Sequence, residues 1–494
     1  MIRIRNLNVC HGTARILQNI SFDVKAGECL VITGSSGCGK STLAHVLAGL
    51  IPKSIPARVA GKATIADMDV LHSPVDEIAC QVGIVFQNPR THLFHLRVDD
   101  EIAFGPRNLG MTEEEVAARV DWALESVGLA DLREQKPANL SGGQIQRLAI
   151  AAALAMNPKV LVLDEPTASL DVPGTQNVIK TLEKLKRQFG LTIVLIEHRL
   201  AEVRRLADRV LILEDGRIAA QGQFEEMLGD YKTLREFGLR RPTAASLTDW
   251  QGLLMPNGHH PEGQSPLLDL QNITAGYDGH AIIHDINLKL FHGEFVALVG
   301  DNGTGKSTLA LAAAGLLKPM SGNVTVNGTS RPRPGLDIAL LFQNPADQLF
   351  TDSVDEEIEF GPRNYRRFDE HIHEQTLASA DLLHLRTRRP FTLSIGQQQR
   401  TALASCIALR PALVILDEPT LGQDWRHLQQ LMDCLARLNE QGTAILLITH
   451  DYKLVHHYAR RVILMEEGRI TLDGKIAPVS KDRIHAEEFI HAAC

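Results

Sequence analysis

The chain has 494 residues, 44% of them hydrophobic and 22% charged, and a net charge of −8. A single hydrophobic core stops growing at about 250–300 residues, so this length excludes a one-core protein. The acidic balance excludes a broad electrostatic grip on nucleic acid, which needs a basic face.

In chain order, the first clear element is the apolar run CLVIT before Gly34, which reads as a buried parallel strand. It feeds GSSGCGKST, a match to G-x-x-x-x-G-K-[ST] lying between a strand and a helix-like segment. The loop comprises Gly34, Ser35, Ser36, Gly37, Cys38, Gly39, Lys40, Ser41 and Thr42. Its glycines let successive backbone N–H groups curl around phosphate oxygens, and the following helix adds its positive end. Lys40 would reach the terminal phosphates and Ser41 would hold Mg2+. Cys38 could have its pKa lowered at a helix N-terminus, or be a small, inert packing residue. Further on, FQNP begins at Phe86 and FGPRN at Phe104. LSGGQIQR follows at Leu140, where Ser141 with Gln144 three residues later reads as a capping box opening a helix whose N-terminus can face a phosphate. The strand-like VLVL then ends at Asp164 and Glu165. Buried charges persist only when paired or coordinated, so Mg2+ beside Asp164 and a water polarised by Glu165 give this pair a reason. Helix capping would explain a single such pair but not two copies. TIVLI before Glu197 is another strand, and RVLILEDGRIAAQG reads as two strands about a turn at Gly216.

Residues 241–266 pass through RPTAASLTDW and PNGHHPEGQSP and read as a linker between domains at 1–240 and 267–494. Beyond it the same order recurs: Asn6 to Asn272 and Gly34 to Gly300 are both steps of 266 residues. The second phosphate loop comprises Gly300, Asp301, Asn302, Gly303, Thr304, Gly305, Lys306, Ser307 and Thr308. FQNP returns at Phe342, FGPRN at Phe360 and the strand-end acids as Asp417 and Glu418, while FVALV, LVIL and AILLI repeat the strands. LSIGQQQR at Leu393 repeats the capping box with Ser394 and Gln397, and RVILMEEGRITLDG repeats the hairpin at Gly468. Solenoid repeats are roughly 20–50 residues long, so this period means a duplicated domain. Strands alternating with helices predict an α/β sheet in each unit, with ligands at the carboxyl ends of its strands.

No segment approaches the roughly 18 apolar residues that cross a bilayer, so a soluble chain is expected. The seven cysteines, Cys10, Cys29, Cys38, Cys80, Cys406, Cys434 and Cys494, form no CxxC pair, which suits a reducing cytosol.

Over nearly the whole chain outside the linker, these residues resemble the ATP-binding subunits of ABC transporters. The likeness extends to Gln87 and Gln343 of FQNP, to Asp171 and Asp424 after the strand-end acids, and to His198 and His450 after the next strand. It implies two P-loop NTPase ABC ATPase domains in tandem, each with a mainly parallel sheet core, an antiparallel β part and a helical subdomain. It also implies an ATPase using ATP and Mg2+, with Glu165, Glu418, His198, His450, Gln87 and Gln343 in catalysis. Ser41, Asp164 and Gln87 would serve one metal ion, and Ser307, Asp417 and Gln343 the other. In the family, ATP lies between the phosphate loop of one unit and the signature of the other, here Ser141, Gly142, Gly143 and Gln144 or Ser394, Gly396 and Gln397. One chain then carries both halves of both sites, and effective concentration replaces dimerisation.

Two departures stand out. Ile395 occupies the place of Gly142, and a β-branched residue disfavours positive φ and adds bulk. Unequal turnover of the two sites is one reading, and a side chain that points away without effect is the other. Tyr277 fits the aromatic that stacks adenine in the family, whereas the aligned residue in the first unit is His11.

The stretches FQNPRTHLFHLRVDDEIAFGPRNLG and FQNPADQLFTDSVDEEIEFGPRNYR resemble the ATPases of energy-coupling-factor (ECF) importers, which drive uptake of vitamins and of cobalt or nickel. That resemblance implies a peripheral protein at the cytoplasmic face of the cell membrane, partnered by a transmembrane scaffold and a substrate-binding membrane subunit. On composition alone, the Phe and Leu residues of these stretches could equally be core of the helical subdomain. Arg90, Thr91 and His92 stand opposite Ala346, Asp347 and Gln348, so two unlike docking surfaces are expected. Tandem ABC ATPases acting on ribosomes or DNA usually carry charged arms absent here, and tandem sugar-importer ATPases often have a degraded second phosphate loop, whereas GDNGTGKST is complete. His259, His260, His456 and His457 read as solvated polar residues rather than a metal sensor.

Overall fold

Each apolar run named above becomes a strand with no exposed residue, because both faces of its sheet are covered. The protein is described by a computed structural model covering residues 1–476 apart from 36, 90–92, 169, 171, 230–236, 238–253, 257–263, 331 and 420–424. It divides into two units, Met1–Ser246 and Leu247–Cys494.

Among the described residues of the first unit, six strands form one sheet in the order Arg217–Gln223, Arg209–Glu214, Cys29–Gly34, Thr192–Ile196, Val160–Asp164 and Val82–Val85. All neighbours are parallel except the terminal hairpin. Alternate residues serve two cores. Leu30, Ile32, Val162 and Val194 face one, shared with Leu43 and Leu47 of the helix Lys40–Leu47 and with the antiparallel sheet, where Ile2–His11 runs between Ala14–Val24 and Arg58–Ile65. Val31, Leu161, Leu163 and Ile193 face the other, shared with the helices Val98–Asn108, Glu113–Val127 and Gly142–Ala155. Covering both faces is what lets these strands be continuously apolar.

The second unit repeats this plan. Phe295–Val299, Ala444–Ile448, Leu413–Asp417 and Ile338–Leu341 form the parallel core, and His280–Leu290, Leu268–Tyr277 and Ser321–Val326 form the antiparallel sheet. Val354–Asn364, Glu370–Ser379 and Ile395–Ile407 are the helices on its other side. Both predicted hairpins are present. Asp215 and Gly216 have φ of 45° and 74°, and Glu467 and Gly468 have 46° and 76°, the paired positive φ of a type I′ turn.

One stretch departs from its reading as a linker. Leu254–Pro256 pairs antiparallel with Arg469–Ile476, Leu254 opposite Ile476, and Leu254 is buried on Ala297, Val299 and Leu464. The rest of that segment except 264–266 lies outside the described residues. Local Pro and Gly content hid a pairing made more than two hundred residues away.

Among the described residues Phe224 is the largest fully buried side chain, and it packs in the helix-facing core of the first unit. Phe224→Ala should therefore destabilise that unit by about 3–5 kcal/mol in urea unfolding. A loss under about 1 kcal/mol would mean the core is not closed there.

Candidate active site

Adjacent parallel strands end side by side, so the residues following them collect at one edge of each sheet. In the first unit these are the phosphate loop after Cys29–Gly34, Glu197 and His198 after Thr192–Ile196, Asp164 and Glu165 at the end of Val160–Asp164, and Gln87 after Val82–Val85.

The loop conformation needs its glycines. Gly34 and Gly39 have φ of 144° and 104°, and a Cβ on Gly34 would sit 2.0 Å from the Leu213 carbonyl oxygen. Gly300 repeats the φ of 144°, with Met465 O at 2.2 Å from such a Cβ. Lys40 Nζ donates to Gly34 O at 3.0 Å and Ser35 O at 2.8 Å, and Lys306 Nζ donates to Gly300 O at 2.9 Å and Asp301 O at 2.6 Å. Each loop thus wraps its own lysine. Gly39 and Gly305 leave the helix starts at Lys40 and Lys306 without side-chain caps, so backbone donors of the first turns, including Ser41, Thr42, Ser307 and Thr308, have no intrahelical partner and suit an anion. The second loop's other members, Asn302, Gly303 and Thr304, are placed alike, with the Thr304 hydroxyl on Asp301 O at 2.9 Å. Gly37 has a positive φ of 79°, and burial raises the Cys38 thiol despite Lys40, which favours an inert packing residue.

Asp164 is only 5% exposed, and its Oδ1 has no hydrogen-bond partner. Burial pushes its carboxyl up to about 6, with the Ser41 hydroxyl opposing and the Glu165 charge adding to the rise. Asp417 is pushed up to about 6 by burial in the same way, opposed by Ser307. A buried carboxylate with a spare oxygen beside a serine hydroxyl fits a divalent cation, whose charge would favour the ionised form. Glu165 behaves oppositely. Burial would raise its carboxyl, but His198, with Lys40 and Arg199, holds it below its ordinary value. His198 Nε2 lies 2.9 Å from one carboxylate oxygen and Gln87 Nε2 donates to the other at 2.8 Å. In the second unit His450 Nδ1 lies 3.1 Å from Glu418 Oε1, and Gln343 is exposed. Glu165 and Glu418 share left-handed backbone, φ 48° and 49°, and their N–H groups bond Ile196 O and Ile448 O at 3.0 Å. A non-glycine residue held there costs about 1–3 kcal/mol, which marks a constrained position in both units.

The capping boxes are present. Gln144 N donates to Ser141 Oγ at 3.3 Å and Ser141 N to Gln144 Oε1 at 2.8 Å, and Ser394 with Gln397 repeats this at 3.3 and 3.1 Å. Gly142 and Ile395 are both the first residue of their helix, and Gly142 has no positive φ. The expectation that Ile395 strains a left-handed backbone is therefore wrong: an ordinary helical conformation suits either residue. What remains is bulk, since a Cβ on Gly142 would meet Leu170 Cδ2 at 3.3 Å, and one on Gly143 would meet Gly174 Cα at 3.1 Å. Gly396 follows Ile395 within its helix. Tyr277 is exposed at the end of its strand, whereas His11 Nδ1 is 3.1 Å from the Pro56 carbonyl oxygen. Ser36, Asp171, Asp424, Arg90, Thr91, His92, His259 and His260 lie outside the described residues. His456 and His457 rest against Tyr452 and Tyr458.

Sequence reasoning missed Glu197 and Thr167. Glu197 is a buried acid beside His198 that accepts from the Thr167 hydroxyl. The available signal was its mismatch with Thr449 in the repeat.

The raised carboxyl of Asp164 has a sign. Between its ordinary 3.8 and about 6 the folded state holds the proton more tightly, so stability falls as pH rises through that window. Asp164→Asn should thus stabilise the first unit of EDTA-treated chain by about 2–3 kcal/mol at pH 7. Urea melts from pH 4 to 8 should show this gain vanishing toward pH 4, and an unchanged or weaker variant at pH 7 would contradict it.

Comparison with known proteins is consistent across the chain. The family described as ABC transporter matches residues 17–168 and 283–421. A Methanosarcina mazei protein carrying the name ABC transporter ATP-binding protein is 36% identical, over 97% of this chain and 90% of its own length. A Bacillus subtilis protein named as the HMP/thiamine import ATP-binding protein YkoD is 34% identical, over 94% of this chain and 89% of its own. A solved structure of cbiO1 from Clostridium perfringens, described as part of the ABC transporter complex cbiONQ, is 32% identical and covers 48% of this chain and 94% of its own, with a TM-score of 0.43. With the family matched twice, and a phosphate loop and strand-end carboxylates in each unit, the chain belongs to the ABC transporter ATP-binding proteins and is a tandem ATPase of that family.

Proposed function

We propose that this chain is the energy-coupling ATPase of an ECF-type importer, driving uptake of a vitamin, a vitamin precursor or a transition-metal ion through separate membrane subunits. The observation that carries the reading is an exposed aromatic pair at the same place in each unit. Phe94 is 62% exposed and meets Phe104 edge-on at 4.9 Å, and Phe350 is 60% exposed and meets Phe360 at 4.7 Å. Core residues would be covered, so the alternative of subdomain packing does not account for these rings. Two exposed apolar knobs suit a helix that presents an apolar face, such as one from a membrane scaffold. The name of the Bacillus subtilis relative supports a thiamine-related cargo as the first to try. No described helix is long and apolar enough to cross a membrane, in keeping with a peripheral subunit.

In this reading each phosphate loop, through its amides and Lys40 or Lys306, holds the phosphates of ATP. Ser41, Asp164 and Gln87, or Ser307, Asp417 and Gln343, would hold Mg2+, which would supply positive charge against that developing on the phosphates. Glu165 and Glu418 orient and polarise the attacking water. Because Glu165 is held below its ordinary pKa, it stays anionic at neutral pH and acts by positioning more than by taking a proton outright. His198 and His450 fix the two carboxylates. Resting on the family resemblance, the proposal includes closure of each phosphate loop by the signature helix of the opposite unit, and stacking of one adenine on Tyr277. The site closed by Ser394–Gln397 then turns over more slowly, through the bulk of Ile395.

Glu165→Gln and Glu418→Gln should each lower steady-state ATP hydrolysis by roughly 10²-fold at the affected site, with the larger overall loss from Glu418→Gln. Equal losses would remove the asymmetry. Affinity capture from detergent-solubilised membranes should recover integral membrane proteins, and Phe94→Ser with Phe350→Ser should abolish that recovery. Ribosomes in place of membrane proteins would overturn the importer reading.

A further inference from the structure

A strand can hand its terminal residues either to the next element of its own chain or across to a neighbouring loop. In the second unit Thr449 Oγ1 accepts from Asp451 N at 3.1 Å, and Asp451 caps the helix Tyr452–Tyr458 by accepting from Lys453 N at 3.0 Å. Both of these bonds lie within the segment that follows the strand. In the first unit the aligned residues are Glu197 and Arg199, and no described helix follows them before Arg209. Glu197 is 2% exposed and accepts from His198 N at 2.9 Å and Arg199 N at 3.1 Å through one carboxylate oxygen. Its other oxygen takes the hydroxyl of Thr167, itself fully buried and two residues beyond Glu165. Arg199 makes a second crossing, donating to Ala168 O at 3.3 Å.

We propose that Glu197 is a positioning residue for the first site, tying the loop that carries His198 to the loop that carries Glu165. A buried carboxylate is costly unless its lone pairs are filled, and three converging donors here fill them. That makes it a rigid brace between two catalytic loops, holding the 2.9 Å approach of His198 to Glu165. In the second unit the aligned residue is Thr449, whose single hydroxyl cannot gather three donors as a carboxylate does. The inference rests on the proposed roles of Glu165 and His198 and adds an asymmetry independent of Ile395.

The test uses the full chain with Mg-ATP. Glu197→Ala and Glu197→Gln are introduced into the Glu418→Gln chain, where remaining turnover belongs to Glu165, and into the Glu165→Gln chain as control. In the first background Glu197→Ala should lower kcat about tenfold with KM for ATP changed less than twofold. Glu197→Gln should restore kcat to within twofold, because its amide can give Thr167 one hydrogen bond while its oxygen accepts from the two amides. In the control background neither change should move turnover by more than twofold. Equal losses in both backgrounds, a loss that glutamine does not rescue, an effect on KM alone, or no effect would each overturn the proposal. Should Glu418→Gln alone abolish turnover, the same pair is compared in the otherwise wild-type chain, where a lowered kcat, an unchanged KM and rescue by glutamine are expected and the failure of any one overturns the proposal. If Glu165→Gln leaves wild-type hydrolysis unchanged, the underlying reading of the site fails instead.

Discussion

The cost of keeping ionisable groups at the end of a buried strand governs this molecule. Val160–Asp164 and Leu413–Asp417 are apolar because helices and antiparallel sheet cover both faces of their sheets, and each terminates in an acid held in low dielectric. Burial raises one carboxyl of the first pair, while a histidine holds the adjacent one down. Neighbouring acids driven apart in this way take different tasks, one suited to a cation and the other to water. The arrangement stabilises nothing by itself. It is tolerated because hydrogen bonds from Ser41, Gln87 and His198, and a bound cation when present, offset what burial removes.

Much of this was legible in the sequence, wherever the physics is local. The phosphate loops, the strands before them and the capping boxes of Ser141 and Ser394 are each specified within ten residues by glycine placement, apolar runs and side-chain reach. The duplication made each local reading twice as strong. Hidden features share one property: their partners are distant. Gln87 meets Glu165 across 78 positions and Thr167 meets Glu197 across 30, separations no periodicity encodes. Backbone angles at single positions were also opaque. The glycine of the signature suggested a positive φ, yet Gly142 simply begins a helix, while Glu165 and Glu418 are left-handed without being glycine.

Duplication within one chain also relaxes a constraint that a symmetric homodimer cannot escape. Two copies of one gene product must use one residue in both sites, whereas here Glu197 and Thr449, or Gly142 and Ile395, occupy equivalent places with different chemistry. The shared elements are those whose geometry tolerates no substitute, such as the 144° φ of Gly34 and Gly300. Those that diverge sit around the site, where they alter support without removing a required group.

The short strand Leu254–Pro256 has a further meaning for colloidal behaviour. It lies along the outer edge of the second sheet, covering a ladder that Arg469–Ile476 would otherwise present to any passing β-segment. Its own last residue, Pro256, cannot donate a backbone hydrogen bond, so the added strand is a poor template for another. The joining segment therefore acts as an edge guard, and fusion proteins that split or shorten the chain upstream of Leu254 do so without uncovering a sticky seam only if these three residues stay with the second half.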